Sequence, residues 1–251
     1  MHTTTCHSLI QYFPPVILLA ALFVGAPQAM SATTGSGRIA SESRNVSNFE
    51  AITISGSMKL EVRQTGKETL TLSGEDNLLP LIETVVEPGS NGRVLHIRFK
   101  RGESIRPQRE IKVSVEVIKL GAVSTSGAGD ISIDGLKGTA LKVAVSGAGD
   151  IRMRGVAVDE LDVRIAGSGD VRGQGSAKQL TLSIAGSGDA ALADFVADAV
   201  KVSIAGSGDA QVHAAKSLNV RIAGSGDVQY RGGATDVSKT VMGSGSVTPM
   251  R

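Results

Sequence analysis

Leu161-Asp162-Val163-Arg164-Ile165-Ala166-Gly167-Ser168-Gly169-Asp170 is echoed further on by Leu180-Thr181-Leu182-Ser183-Ile184-Ala185-Gly186-Ser187-Gly188-Asp189. Apolar residues take every second position up to a Gly-Ser-Gly-Asp corner. That period of two specifies a strand with one buried face. The unit recurs along the chain, with its Asp at 130, 150, 170, 189, 209 and 227. An Asp-less copy, Gly243-Ser244-Gly245-Ser246, closes the series, and the spacings are all 18 to 20 residues. A shorter alternation follows each Asp, as in Ile131/Ile133, Ile151/Met153 and Val228/Tyr230. Each unit therefore holds at least two strands, joined by a corner where glycine supplies the positive φ that other residues resist.

One such unit cannot bury its apolar face. Stacked units can, because each strand pairs with its counterpart in the next. The fixed strand–corner–strand order argues against an antiparallel meander. No Pro occurs between Gln108 and Thr248, as a ladder that uses every backbone N–H requires. The reading is all-β: a right-handed parallel β-helix of about 19–20-residue coils over 121–247. At roughly 4.8 Å per rung, seven units rise about 34 Å. Residues 46–120 alternate as well (Lys59-Leu60-Glu61-Val62-Arg63, Val94-Leu95-His96-Ile97-Arg98) but without a period, and carry Pro80, Pro88 and Pro107. They are expected to form an irregular β segment, or N-terminal part of the solenoid, that caps its N-terminal end. Pro249 and the short tail 248–251 suggest a matching terminus at the other end.

Composition narrows the function classes. Lys plus Arg is 26 against 24 for Asp plus Glu, so nothing in the net charge calls for nucleic acid. Aromatics are 3% with no Trp, too few to build stacking platforms for sugars or bases. Residues 16–26 read VILLAALFVGA, shorter than the roughly 20 residues that span a bilayer but matching the apolar core of a signal peptide. No Lys or Arg precedes that run. Small residues at Ala26, Ala29, Ser31 and Ala32 place cleavage within about 29–32, ending a signal peptide at 1–32. Residues 33–45, rich in Ser, Thr and Gly, read as a flexible lead-in. Cleavage would remove Cys6, the sole cysteine, and leave a mature chain with no transmembrane segment. The expected location is outside the cytoplasm, in the periplasm or secreted to the cell surface.

Three features in order carry a resemblance to a known family. They are Asn48-Phe49-Glu50-Ala51-Ile52-Thr53-Ile54-Ser55-Gly56-Ser57, then Asp76-Asn77-Leu78-Leu79-Pro80-Leu81-Ile82-Glu83, then the Gly-Ser/Ala-Gly-Asp repeats. Over about 46–247 the chain resembles the auto-transporter adhesin head domain, or GIN domain, of exported bacterial proteins. The resemblance implies an exported β-solenoid with an adhesive role, and it carries no catalytic residues with it. The closing residues Thr248-Pro249-Met250-Arg251 leave no room for a translocator barrel, so a self-sufficient autotransporter is not expected.

The aspartates are the sharpest chemical feature. Two charges one rung apart repel by roughly 1 kcal/mol in water and about 3.5 kcal/mol at an effective dielectric of 20. The preferred reading makes each an Asx-turn residue accepting N–H groups of its own corner, with Arg neighbours helping. Around Asp189 and Asp209 those neighbours are Ala191 and Gln211 instead. That leaves Ca²⁺, held by Asp170, Asp189, Asp209 and Asp227, as an alternative drawn from an all-oxygen ligand set. No other cofactor is expected. Arg152, Arg154, Arg164 and Arg172 fall in adjacent units and form a candidate anion-binding face for phosphate or carboxylate groups of an envelope polymer. After cleavage only His96 and His213 remain as histidines, and no residue set reads as catalytic.

The functional expectation is a non-enzymatic structural or adhesive module of the cell envelope. Its partner would be an envelope polysaccharide or another surface protein, with oligomers forming by end-to-end or side contact. The competing reading is a polysaccharide-cleaving enzyme on the same scaffold, which would show one cleft where non-repeated acidic and basic residues converge.

Overall fold

Period-two patterning becomes strand almost without exception in the computed structural model, which describes residues 32–89 and 92–250. The signal-peptide reading and Cys6 lie outside the described residues. The chain runs through β1 (Thr33–Thr34), β2 (Ile39–Arg44), β3 (Ala51–Gly56), β4 (Lys59–Gln64) and β5 (Thr69–Glu75). A 3-10 turn at Leu79–Leu81 leads to β6 (Ile82–Gly89), β7 (Gly92–Phe99), β8 (Ile105–Arg106) and β9 (Lys112–Val117). The repeats then give β10 (Ala122–Gly127), β11 (Ile131–Asp134), β12 (Lys137–Gly147), β13 (Ile151–Gly167) and β14 (Val171–Gly186). They end with β15 (Ala190–Gly206), β16 (Ala210–Gly224), β17 (Val228–Arg231), β18 (Asp236–Gly243) and β19 (Val247–Pro249).

The repeats stack in parallel and in register. Leu141 lies on Leu161, which lies on Leu180, Val200 and Leu218 in turn; Val145, Ile165, Ile184, Ile204 and Ile222 form a second buried row. Along β13 the buried positions are 151 and 153, then 156 and 158, then 161, 163 and 165. Each skip in parity marks a corner, so a coil has three faces: one after the Asp, a middle one, and one leading to the next Gly corner. The corners must be glycine for two reasons. Gly186 has φ +134°, and a Cβ there would lie 2.3 Å from the carbonyl oxygen of Gly167 in the coil below. Where the register slips between β14 and β15, the ring of Phe195 is fully buried over Gly173 and Gly175, which leave it room.

The N-terminal segment caps the stack and contributes rungs of its own. β3 pairs in parallel with β10, and β4 with β11, so Gly56 sits under Gly127 and Leu60 under Ile131. Beneath them, β7 pairs in parallel with β3 and β9 with β4. The order of the stack thus departs from the order of the chain. The coil made by β7 and β9 comes later in sequence than β3–β4, yet lies below it. Residues 118–121 then climb past that coil to start β10, with the Gly121 N–H donating to the Glu50 carbonyl at 2.8 Å. Antiparallel strands close the base: β6 on β7, β5 on β9, and β2 on β5. Residues 33–45, expected to be a flexible lead-in, are instead tied down by β1 on β8 and β2 on β5.

A buried carboxylate organises this base. Glu75 is fully buried and accepts backbone N–H groups of Gly37 (2.7 Å), Gln108 (2.8 Å) and Arg109 (3.4 Å). Burial pushes its pKa up, but these donors and the Arg109 charge outweigh that and hold it below the ordinary carboxylate value.

Candidate functional site

The aspartates form a hydrogen-bonded column that works differently from an Asx-turn. Each Asp Oδ1 accepts the backbone N–H of the equivalent residue in the next coil, not of its own corner. Asp150 N donates to Asp130 at 3.1 Å, Asp170 N to Asp150 at 3.1 Å, and Asp189 N to Asp170 at 3.1 Å. Asp209 N, Asp227 N and Ser246 N continue the ladder on Asp189, Asp209 and Asp227 at 2.8, 2.7 and 2.8 Å. The reciprocal bond runs from the residue after each Asp to the carbonyl of the equivalent residue one coil on, as in Ile151 N to Asp170 O and Val228 N to Ser246 O, both at 2.8 Å. The carboxylate supplies the acceptor that the turned backbone cannot. Register places Lys59 and Lys112 at the two positions below Asp130, so the column begins with cations.

Arginines relieve the lower half of this column. Arg172 reaches Asp170 (3.0 Å) and Asp150 (3.8 Å), while Arg152 reaches Asp150 (3.4 Å) and Asp130 (3.9 Å). Asp189, Asp209 and Asp227 have no ion pair among the described residues. No grouping of three or more His, Cys, Asp or Glu able to hold a metal occurs among them either. Of the four candidate anion-binding arginines, Arg152, Arg154 and Arg172 share the face after the Asp. The structure does not bring Arg164 to them: it lies on the face before the corner, paired with Asp162 of its own strand at 2.9 Å. Two of the remaining three are engaged with the aspartates, which leaves Arg154 as the free cation of the set among the described residues.

Two open depressions hold less regular chemistry. The first, about 320 Å³, follows the corner between the middle face and the face before the Gly turn. Gln179, Thr181, Lys201, Ser217, Asn219 and Ser238 line it, contributed by successive coils. The second, about 480 Å³, lies at the junction between base and repeats and gathers Glu50, Glu68, Arg93, Ile118 and Lys119. Asn48 is held there at φ +58°, its N–H donating to Glu68 at 2.7 Å. This junction brings together non-repeated charges of both signs, and nothing in their sequence spacing distinguishes them. His96 lies 3.7 Å from Glu87 on the hairpin surface. His213 is half-buried, and its Nδ1 has no hydrogen-bond partner.

Comparison with known proteins places this geometry. Solved structures with the same fold include a "putative adhesin" of Bacteroides fragilis, 24% identical with TM-score 0.80, covering 87% of this chain and 100% of that one. A "putative lipid binding protein" of Parabacteroides distasonis is 26% identical with TM-score 0.70, covering 88% and 100%. A "putative adhesin" of Parabacteroides merdae is 23% identical with TM-score 0.64, covering 88% and 99%. No curated protein matches. Among the described residues no helix is long and apolar enough to cross a membrane. The family described as "Putative auto-transporter adhesin, head GIN domain" matches residues 48–234, from β3 through β17, and the chain belongs to it.

Proposed function

We propose that this protein is an exported, non-enzymatic binding module of the bacterial cell envelope that holds a hydroxyl-rich polymer along the groove of Thr181, Lys201 and Asn219. One observation carries the reading. Hydroxyl, amide and ammonium groups recur from coil to coil along a single open groove, with a fully packed core behind it. A rigid column with donors at rung spacing suits a polymer with repeating acceptors better than a compact small molecule. The family name and the adhesin-named neighbours point the same way.

The test is calorimetric titration of the purified chain with polysaccharide fractions of a bacterial envelope, alongside phospholipid vesicles. Binding to a polysaccharide fraction that K201A/N219A weakens at least tenfold supports the reading. Binding to vesicles alone, as the lipid-binding name of the P. distasonis structure would suggest, overturns it. So does polymer binding that the double variant leaves intact.

A second reading, polymer cleavage, is favoured only by the charges at the junction cleft, where Glu50 and Glu68 meet Arg93 and Lys119. New reducing ends released by the wild type and abolished in Glu50→Gln would establish it.

A further inference from the structure

We propose that Lys239 guards the C-terminal end of the solenoid against pairing with a second copy of the chain. Among the described residues β18 is the last strand of its face, and register sets Val237 over Leu218, Lys239 over Val220 and Val241 over Ile222. Position 239 therefore belongs to an inward row that carries Val143, Val163, Leu182, Val202 and Val220 in the coils below. A lysine in that row cannot lie in the core. It folds across the open end instead, its Nζ 4.9 Å from the centre of the Tyr230 ring and 3.1 Å from the Val247 carbonyl oxygen it donates to.

The end it lies across is otherwise ready to pair. Val237, Tyr230 and Val247 are only partly buried against the core, and Val241 is 39% exposed. Among the described residues β18 pairs with β16 and β19 with β17, and neither pairs with a further strand on its outer side. Free ladder groups beside an apolar row are what draws another edge strand, and an inward charge is one device that prevents it. A second copy is the occupant that fits, because its own end presents the same rows at the same spacing. Antiparallel pairing of two β18 strands around a twofold axis is self-complementary and closes at two chains. It would also bring two Lys239 ammonium groups into one small apolar space, which opposes it.

Lys239→Met keeps the length of the side chain and its contact with Tyr230 while removing the charge. Lys239→Val restores the residue of the coil below. Both are to be compared with wild type and Lys239→Arg by light scattering behind gel filtration, with circular dichroism as the check on folding. The expected result is a concentration-dependent twofold rise in mass for the Met and Val variants and none for Arg. Adding Val241→Lys to the Met variant should return the mass to the wild-type value. An unchanged mass in folded Lys239→Met overturns the proposal, as does a rise that Val241→Lys fails to reverse. If the Val variant does not fold, the Met variant decides alone.

Discussion

The repeats and the base solve one problem, joining neighbouring rungs at their corners, by different means. In the repeats the joint is made of identical parts. Two glycines let the backbones touch, and one carboxylate bridges to the N–H of the coil above. In the base, Gly56-Ser57-Met58-Lys59 occupies the same turn with a buried methionine and a lysine, and stability comes from one-of-a-kind contacts such as Glu75. The lesson is that repetition permits tight joints with very small side chains, whereas a cap needs individually fitted groups, because it has no identical neighbour to lean on.

The largest expected effect sets these two kinds of joint against each other. Gly186→Ala places a methyl group 2.3 Å from a backbone oxygen that cannot retreat, at φ +134°. It should cost about 3 kcal/mol or more. Gly37→Ala, at φ +76° close to the left-handed region and with nothing within 4 Å, should cost about 1 kcal/mol. Urea midpoints of the two variants measure the contrast, and equal losses would show that the coils are not in contact at the corner.

Next comes the buried carboxylate. Glu75→Gln turns an N–H donor toward backbone N–H groups and should lower the melting temperature by several degrees at neutral pH. Because the folded state holds the Glu75 pKa below its ordinary value of 4.5, its contribution is complete above that value and is lost as pH falls further. Melts between about pH 5 and about pH 3 should therefore decline more steeply in wild type than in the variant. Parallel curves would remove Glu75 from the account of the base.

The smallest effect concerns one rung of the ladder. Asp189→Ala leaves the Asp209 N–H without its acceptor and should cost about 1–2 kcal/mol. Asp189→Asn keeps an oxygen there and should change stability by less than about 1 kcal/mol. Melts with and without Ca²⁺ sharpen the result. A wild-type rise in Ca²⁺ that disappears in Asp189→Asn would make the column a cation site after all.

Much of this is legible because the repeat writes its inward rows in plain alternation and its corners in glycine. Two things are not. The rungs in β3, β4, β7 and β9 are hidden because their corners lack the Gly-Asp pair, and because their stacking order is not their chain order. The aspartates announce themselves as corner residues, yet their acceptor role runs between coils, and alternation along one strand says nothing about the neighbour above. The arginine set fails at Arg164 for a related reason. Parity along a strand gives inside or outside, but not which of three outer faces a residue occupies.

The inverted order at the base also has a consequence for how the chain acquires its shape. A solenoid laid down in sequence order could add each coil to a finished surface, and its slowest step would be as local as any other. Here β3 and β4 must wait, partly paired, until residues beyond 112 return to slide beneath them, before β10 can close over the top. That return joins Lys59 to Lys112 across a long loop, and closing it carries a large entropy cost. Once it is made, every later coil adds by nearest-neighbour contact. The rate of folding should thus be governed by the non-repeating third of the molecule, and changing the number of repeats should leave it nearly unaltered.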